Sequence, residues 1–393
     1  MLQPQINLSL DLKKLRDEGY ELEINGGYVC AHHIPYVNEK KEIGFGVLIC
    51  PLNLASEFQT SRPPDHTMFF MGEVPCHKDG KRMDEILNSS PNQMLLEGIV
   101  GNHLFSSKPS KGNYDDYYEK FTKYVQIISV PAKSLDSSVT ATTFKPFVGN
   151  QTTSVFNYFD TNSSRANIMK LNEKFGGQKI AIIGLGGTGS YILDQVAKNH
   201  VDEIHLFDAD DFSQHNAFRS PGAPSLDELN DMKKKAVYFS EIYSKMHKGI
   251  VPHIEYVTRD NIHLLEEMSF VFICIDNNSA KKLIVKELTK LKISFIDVGL
   301  GVQLVDDKLI GIVRTTVGTA GKNDHLLKRI PFEEAVVNEY VTNIQIADLN
   351  ALNAILAVIK WKKISGFYQD LVEEFHSTYS INVAELTNGD YQI

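Results

Sequence analysis

The sequence is poor in cysteine. Its 393 residues contain only four, Cys30, Cys50, Cys76 and Cys274. No two of them form a C-x-x-C pair, which argues against both a disulfide scaffold and a four-cysteine zinc ribbon. A chain of this length buries a sizeable core without such cross-links. This cysteine usage fits a reducing compartment, and we expect a cytoplasmic protein.

Long apolar runs and positive charge are also scarce. The most apolar helical stretch, residues 344–364, is interrupted by Asp348 and Lys360, whereas a membrane span needs about 20 predominantly apolar residues. The first 15 residues have no basic segment followed by an apolar run, so we expect neither a membrane span nor a signal peptide. The net charge of −9 argues against a nucleic-acid binder that depends on bulk positive charge.

The residue pattern changes near residue 150. Residues 1–150 mix short apolar runs with turns and predict a smaller α+β accessory domain that binds a partner. The expected elements are strands at 44–50 and 124–130 and short helices at 83–88 and 115–122. Residues 151–163 are polar and predict a linker. Residues 164–393 predict a second, larger domain.

In the larger domain short apolar strands alternate with helices. The predicted strands are 180–183, 203–208, 253–258, 270–275 and 294–298, and the predicted helices are 189–199, 226–247 and 344–364. This alternation predicts an α/β fold with a doubly wound, mostly parallel Rossmann-like sheet covered on both faces. Ser225 and Glu228 have capping-box spacing at the start of the second helix, and Gly366 predicts the end of the third.

A glycine-rich turn joins the first strand of this domain to its first helix. Gly184, Gly186, Gly187 and Gly189 in the sequence GLGGTG allow the backbone to approach a phosphate at the helix N-terminus. Asp208 ends the next strand, where a carboxylate can accept hydrogen bonds from ribose hydroxyls. Taken alone, these residues fit any dinucleotide-binding fold, including that of an NAD oxidoreductase.

The residues after the second strand favour an enzyme that handles a triphosphate over a dehydrogenase. The segment DADDFSQHNAFR contains Asp210, Asn216 and Arg219, and Lys235 follows in the next helix. An enzyme that handles a triphosphate needs such groups, because charge accumulates on the phosphates in the transition state. A hydride-transferring enzyme gives no clear reason for Asn216 and Arg219.

A second polar group follows the strand 270–275. Asp276, followed by Asn277, is suited to hold Mg²⁺ that bridges the phosphates. Simpler explanations stay open. Asp208 and Asp276 could be capping or turn residues, and Arg219 and Lys235 could lie on a solvated face.

The sequence resembles the ThiF/MoeB and ubiquitin-activating enzyme superfamily over about residues 164–365. The family pattern is GLGGxG, D-x-D-x-V-x-x-x-N-x-x-R, a helical lysine and a strand ending in C-T-D-N. Here these are GLGGTG, DADDFSQHNAFR, Lys235 and CIDN. The resemblance implies a ThiF-like domain that uses ATP and Mg²⁺ to adenylate the C-terminal carboxylate of a ubiquitin-like protein.

The resemblance also implies roles for individual residues. Asp208 would bind the ribose, and Asp210 and Asn277 would lie beside the nucleotide. Asn216, Arg219 and Lys235 would contact the phosphates, and Asp276 would hold Mg²⁺. In the family an arginine before the first strand reaches the partner subunit's ATP site. Arg165 is the candidate here, which implies a homodimer.

Two features depart from the family pattern. The zinc ribbon of many members is missing, so no structural zinc is expected. The stretch 317–340, where many members carry a thioester cysteine, contains none. We therefore expect the adenylate to pass directly to a separate conjugating enzyme, with an oxyester at Thr319 as an alternative. Cys274, inside an apolar strand, is expected to be an inert buried thiol.

The first domain more faintly resembles an uncharacterised domain fused to ThiF-like proteins in bacterial ubiquitination-like gene clusters. Residues 31–37, 71–76 and 105–109 carry this likeness. Cys30 and Cys76 lie among several histidines. A zinc site, a cysteine nucleophile and a purely partner-binding module all stay open for this region.

Two further functions compete with activation of a ubiquitin-like protein. A sulfur-carrier adenylyltransferase of cofactor biosynthesis would share the nucleotide site, but a sulfur-relay cysteine and a zinc ribbon are missing from the sequence. A catalytically inactive binding scaffold would not need the full set of Asp208, Arg219, Lys235 and Asp276.

Overall fold

The computed structural model of the protein describes residues 4–56, 59–96, 98–145, 154–158, 160–166, 168–333 and 344–391. They form two compact units. The first contains residues 1–154 and 158–168, and the second contains residues 155–157 and 169–393. Residues 151–153 and 159 of the predicted linker lie outside the described part, and a helix begins at residue 161. The domain boundaries at 150 and 163 therefore stay a prediction.

The first unit is built around an antiparallel sheet. Its elements are α1 Pro4–Leu8, α2 Leu10–Asp17, β1 Glu21–Asn25, β2 Tyr28–Val37, β3 Ile43–Pro51, β4 Leu54–Ser56, β5 Gln59–Thr60, β6 Thr67–Met71, β7 Leu87–Ser89, β8 Gln93–Leu96, β9 Ile99–Gly101, β10 His103–Ser106, α3 Tyr117–Leu135 and α4 Thr161–Arg165. The main sheet has the order β1-β2-β3-β6-β10-β7, and every pair in it is antiparallel.

The sequence prediction for residues 124–130 was wrong. These residues form a strand in the prediction but lie inside helix α3. Phe121, Tyr124 and Ile128 recur at helical spacing and are fully buried, and this period outweighs the β-propensity of the isoleucines and valines. Asp116 caps the helix, accepting from the Glu119 N–H at 2.7 Å. The predicted helix 83–88 is also wrong, because this stretch leads into strand β7.

The second unit alternates strands and helices as predicted. Its elements are α5 Met169–Asn172, β11 Lys179–Ile183, α6 Gly187–Val196, β12 Glu203–Phe207, α7 Gln214–Ala217, α8 Leu226–Asn230, α9 Lys235–Tyr243, β13 Ile250–His253, β14 Phe270–Ile273, α10 Asn278–Leu291, β15 Ser294–Val305, β16 Lys308–Gly318, α11 Leu326–Arg329, α12 Ala347–Ile364, β17 His376–Ser380 and β18 Glu385–Gly389. Two 3₁₀ turns lie at Glu173–Phe175 and Ile262–Leu265.

The sheet of the second unit has eight strands in the order β13-β12-β11-β14-β15-β16-β17-β18. The first five are parallel, and the last three continue the sheet in antiparallel fashion. The chain order reverses direction between β11 and β14, so the crevice at their carboxyl ends is the position where open α/β sheets bind ligands. The predicted doubly wound, mostly parallel fold is confirmed.

Alternation along the strands builds a core on each face of this sheet. Ile180 and Ile182 of β11 point to the face covered by α6 and α12, and Ala181 and Ile183 point to the face covered by α10. Trp361 of α12 is fully buried in the first core. Burial of each such large side chain stabilises the fold by roughly 1.5–3 kcal/mol.

The predicted helix 226–247 is two helices. Its start is as expected, because the Ser225 Oγ accepts from the Glu228 N–H at 3.2 Å and the Glu228 carboxylate accepts from the Ser225 N–H at 2.7 Å. The helix ends at Asn230, and Met232 has a φ of +48°. The following backbone pairs with the loop after β12 instead, since the Phe212 N–H donates to the Lys233 carbonyl at 2.7 Å.

The predicted strand 253–258 is also wrong. The strand is β13, which pairs with β12 through residues 250–253, and residues 254–258 are not part of it. Gly366 has a φ of +74° just after α12, as its predicted role requires. Among the described residues, none of the helices has the length and apolar character needed to cross a membrane.

Candidate active site

The glycine loop is packed tightly between β11 and α6. Gly184 has a φ of +90°, and a Cβ there would lie 2.8 Å from the Cys274 carbonyl oxygen. A Cβ on Gly189 would overlap the carbonyl oxygen of Gly184, and one on Gly187 would overlap the Asn350 amide. Gly186, the N-cap of α6, faces open space. The loop thus presents bare backbone at a helix N-terminus, where an anion is favoured.

Asp208 holds this loop in place. Its Oδ2 accepts from the Leu185 N–H at 2.7 Å and its Oδ1 accepts from the Asp210 N–H at 2.9 Å. Burial raises the pKa of the Asp208 carboxyl, against the opposing effect of Lys235. Two backbone bonds leave lone pairs on the carboxylate, which can accept from further donors such as ribose hydroxyls.

Lys235 lies at the first position of α9 and is held by the loop after β12. Its N–H donates to the Asp210 carbonyl at 2.8 Å, and its Nζ donates to Asp210 Oδ2 at 2.7 Å. Although Lys235 is almost fully buried, its charge is compensated by Asp210 at this distance. The Nζ also lies 4.0 Å from Asp208 Oδ1, so one ammonium lies beside two of the three acids of the DADD segment.

Tyr256 completes this group and was not predicted. Its hydroxyl donates to Asp210 Oδ1, and that bond raises the pKa of Tyr256 to about 12. Burial alone would raise the pKa of Asp210, but the bonds from Lys235 and Tyr256 hold it below its ordinary value. Asp210 is therefore a carboxylate at neutral pH. No local pattern marks Tyr256 in the sequence, because its role depends on contact with a loop 46 residues away.

Arg219 follows the short helix α7. Its Nε is buried and has no hydrogen-bond partner among the described residues. Burial lowers the pKa of the guanidinium, while the carboxylates of Asp276 and Asp210 oppose that shift. A buried donor without a partner is costly, and it is satisfied when an anion binds beside it. Asn216 acts locally, since its Oδ1 accepts from the Ser213 N–H at 2.9 Å to cap α7.

Asp276 and Asn277 form the turn between β14 and α10. Asp276 is exposed, as a residue that holds a solvated Mg²⁺ must be. Asn277 caps α10, because its Oδ1 accepts from the Ala280 N–H at 2.9 Å. Carboxylate oxygens are suitable Mg²⁺ ligands, and Mg²⁺ commonly takes only one or two of them together with phosphates. The donor set at Asp276 fits that requirement.

Arg165 is the last residue of α4. Its side chain lies outside the described part of the structure, so its predicted role beside a second copy's nucleotide stays a prediction. The remaining predicted residues form one edge of the sheet. Lys235 lies beside Asp208 and Asp210, and the charges of Asp210 and Asp276 act on the Arg219 guanidinium. This arrangement combines an anion-binding helix N-terminus with two cations and fits a nucleotide polyphosphate.

A profile of the ThiF family matches residues 162–359, just over half of the chain. The chain belongs to the ThiF family. Membership of this family supports nucleotide binding and adenylyl transfer as the general activity. A second profile, described as a domain of unknown function (DUF6791), matches residues 10–161.

Solved structures similar to this ThiF-family chain include those of two proteins, MccB and PaaA. E. coli MccB with MccA-N7isoASN matches with a TM-score of 0.47 and 16% identity, over 60% of this chain and 72% of that chain. E. coli MccB with ATP matches with a TM-score of 0.47 and 17% identity, over 58% and 71%. PaaA matches with a TM-score of 0.45 and 17% identity, over 57% and 76%. The comparison with curated proteins finds no match.

Sequence reasoning also missed a set of buried polar contacts that joins α12 to α6 and to β15. The Thr188 hydroxyl donates to Asn350 Oδ1 at 3.0 Å, and the Asn353 amide donates to the Gly299 carbonyl at 3.1 Å. Both asparagines are almost fully buried. The sequence does contain a sign of these contacts, because two asparagines three residues apart interrupt the otherwise apolar helix α12.

Three of the four thiols of this ThiF-family chain, Cys30, Cys50 and Cys76, are buried, and Cys274 is partly buried. Burial raises the pKa of Cys274 well above its ordinary value, and it raises the pKa of Cys30 to about 12 and that of Cys76 and Cys50 as well. A thiol of raised pKa is a weak nucleophile at neutral pH.

The histidines of the first unit do not converge on one point. His32 lies 3.0 Å from Glu23, His66 lies 3.1 Å from Ser106, and His103 lies 2.8 Å from Ser90. Within the described residues, no group of three or more His, Cys, Asp or Glu side chains could hold a metal ion. This geometry gives no support to the zinc site that the sequence left open there.

Proposed function

We propose that this protein adenylates the C-terminal carboxylate of a ubiquitin-like protein, with ATP as the second substrate. The observation that carries the proposal is Arg219, whose buried Nε lacks a partner among the described residues while its guanidinium lies in the field of Asp210 and Asp276. An unpaired buried donor close to two acids of the predicted nucleotide site is explained by an anionic ligand. ThiF family membership supports adenylyl transfer as the reaction.

In the proposed reaction a carboxylate oxygen of the partner attacks the α-phosphorus of ATP. A bond forms between that oxygen and phosphorus, the bond to the bridging oxygen breaks, and pyrophosphate leaves. Arg219 and Lys235 stabilise the negative charge that develops on the phosphate oxygens. Asp208 fixes the glycine loop and accepts from the ribose. Asp276 holds Mg²⁺, which supplies further charge neutralisation when bound.

The fate of the adenylate follows from the thiols. Cys274 is the only cysteine after residue 150, and burial raises its pKa. The activated carboxyl group therefore leaves as the adenylate and is taken by a nucleophile on a conjugating enzyme. The predicted oxyester residue Thr319 hydrogen-bonds through its hydroxyl to the Lys322 N–H at 3.2 Å, which gives it a local structural role.

Pyrophosphate exchange tests this proposal. Purified protein is incubated with ATP, Mg²⁺, labelled pyrophosphate and candidate ubiquitin-like proteins encoded near its gene. Label should enter ATP only when a ubiquitin-like protein with a free C-terminus is present, and mass spectrometry should detect its acyl-adenylate. The Cys274→Ser variant should exchange at the same rate. Exchange that needs no protein partner, or no acyl-adenylate with any partner, would refute the proposed substrate.

A further inference from the structure

A charged cluster lies at the carboxyl edge of the sheet, two strands beyond the glycine loop. Asp297 of β15 is fully buried. Its Oδ1 lies 3.1 Å from the Lys281 Nζ, and its Oδ2 accepts from Arg314 at 2.6 Å. Two cations thus contact one carboxylate, and the three side chains together carry one net positive charge.

The other titratable neighbour of Arg314 does not remove this excess charge. His376 of β17 pairs with Thr316 of β16 across the sheet, and its Nδ1 lies 3.1 Å from the Thr316 hydroxyl. Burial lowers the pKa of His376 to about 4, and Arg329 and Arg314 add to that effect. The imidazole is therefore neutral at neutral pH. A buried net charge is costly unless an opposite charge binds beside it.

Arg314 has hydrogen-bonding capacity to spare. Within the described residues its guanidinium donates to Asp297 and, at 2.6 Å, to the Thr316 hydroxyl. These bonds use two of its five N–H groups. Its side chain is 15% exposed, so the guanidinium is accessible at one edge while its orientation is fixed by the two buried partners. A fixed guanidinium with free N–H groups is suited to bidentate binding of a carboxylate.

Two glycines of β15 lie beside Arg314, and one of them is covered by its guanidinium. Gly299 pairs with Arg314 across the ladder, and a Cβ on Gly299 would lie 2.8 Å from the Arg314 Nε. Gly301, two residues on and therefore on the same face, is exposed, and a Cβ there would meet no described atom within 4 Å. Because Arg314 itself covers Gly299, an extended chain can approach the bare backbone at Gly301.

The position of the cluster separates it from the nucleotide groups. Along the sheet the order is β12 with Asp208 after it, β11 with the glycine loop, β14 with Asp276 after it, and then β15 and β16. Asp297 pairs with Ile273, the last residue of β14, so the cluster lies at the same edge as Asp276. Along this edge the cluster lies on one side of Asp276, and Asp208, the proposed ribose-binding acid, lies on the other.

We infer that Arg314, held by Asp297 and Thr316, binds the terminal carboxylate of the polypeptide that is to be adenylated. The inference rests on the proposed function and names the residue that selects its second substrate. Ribose and phosphates take the β12 and β11 side, and the carboxylate enters from the β15 and β16 side over Gly301 to reach Arg314. Lys281 remains as the counter-charge of Asp297.

The test compares two small probes on the full-length protein saturated with a non-hydrolysable ATP analogue. The probes are N-acetyl-glycylglycine and its C-terminal amide, and ligand-observed NMR titration gives their dissociation constants. The free acid should bind the wild type about tenfold or more tightly than the amide, as the loss of a charged hydrogen bond predicts. Arg314→Gln should weaken acid binding about tenfold and leave amide binding unchanged, and Arg314→Lys should be intermediate.

Controls keep the outcomes distinct. Arg314→Gln still leaves Lys281 to compensate Asp297, so the variant should fold, and a thermal melt checks this. Arg259→Gln, at an exposed position, should bind both probes as the wild type does. Equal binding of acid and amide, or unchanged acid binding by a folded Arg314→Gln, would overturn the inference. Failure of the wild type to bind the ATP analogue would instead overturn the proposed function.

Discussion

At the residue scale the unusual feature is that the cationic side chains of the candidate nucleotide site are shielded from solvent by the protein itself. Lys235 is compensated by Asp210 at 2.7 Å, whereas the Nε of Arg219 has no partner among the described residues. The two cations of the proposed phosphate site are thus prepared differently. The carboxylate of Asp210 fixes Lys235, whereas Arg219 has an N–H donor to which a phosphate oxygen can bind.

Replacement of Arg219 tests this difference. Arg219→Ala should lower partner-dependent pyrophosphate exchange by about 10²–10³, because a contact with transition-state charge is lost. Its thermal stability should stay close to that of the wild type, since the change removes a buried donor that has no partner in the described part of the chain. Exchange kinetics and a thermal melt measure both effects. Arg259→Ala, in an exposed position of the same unit, is the matched control, and equal exchange by the two variants would contradict the assignment.

At the element scale the first turn of α6 is supported by α12. Gly187 has no room for a Cβ because the Asn350 amide occupies that space, and Asn350 in turn accepts from Thr188. Gly189 is constrained differently, since its Cβ would overlap the backbone of Gly184. A side chain can be removed by substitution, whereas a backbone carbonyl cannot.

This contrast predicts a selective rescue. Gly187→Ala should destabilise the fold by about 1–3 kcal/mol and weaken ATP binding. Adding Asn350→Ala should recover much of both losses, because it empties the space that the new methyl group needs. The same Asn350→Ala change should not rescue Gly189→Ala. Denaturant unfolding and calorimetric ATP titration of the five variants measure this, and equal rescue of both glycine variants would contradict the packing argument.

The segment after α12 contains an ion pair whose contribution to the stability of the fold depends on pH. Asp370 is bound by Lys360 at 2.8 Å and lies 3.3 Å from Lys363. Burial would raise the pKa of Asp370, but the bond from Lys360 and further contacts hold it at about 2. A carboxyl group whose pKa is lower in the folded state stabilises the fold above its unfolded pKa, and this contribution is lost as the pH falls through the folded value.

Asp370→Asn should therefore lower the free energy of unfolding by about 1–2 kcal/mol at pH 7. The difference between wild type and variant should shrink as the pH falls from about 4 to about 2. Urea unfolding at a series of pH values measures it. As a comparison, Asp306→Asn in the exposed β15–β16 turn should show no such trend. A difference that does not change with pH would contradict the ion-pair explanation.

At the scale of the whole molecule we propose that a second copy of the chain takes part in the chemistry. The resemblance to activating enzymes implies that Arg165 of one chain serves the nucleotide of another. The second unit contains the glycine loop, Arg219 and Asp276 on one chain, so a homodimer would combine residues of two chains at each site.

Complementation tests the homodimer. Arg165→Ala and Asp276→Ala should each lose most exchange as pure proteins. After subunit exchange, the mixture should regain about a quarter of the wild-type rate, because half of the re-paired dimers are mixed and each has one intact site. Analytical ultracentrifugation reports the oligomeric state. A protein that is monomeric and still exchanges pyrophosphate, or a mixture with no recovery, would exclude this arrangement.

The sequence by itself determined what depends on short-range patterns. Strand alternation with helices predicted the doubly wound sheet, and the positive φ of Gly184 and Gly366 follows from residue types that tolerate it. The Ser225–Glu228 capping box formed as predicted. In each case the deciding interaction joins residues that are close in the chain, so a window of sequence contains all of it.

Tertiary structure decided the rest. Residues 124–130 are helical because their helical-period apolar face is buried against the first unit's sheet. Lys235 begins a helix because its N–H bonds to the Asp210 carbonyl. The roles of Asn350 and Arg314 depend on partners such as Thr188 and Asp297, one of them 162 residues away. Free energies of burial and pairing arise from contacts that the fold creates, and local sequence patterns do not encode which distant groups will meet.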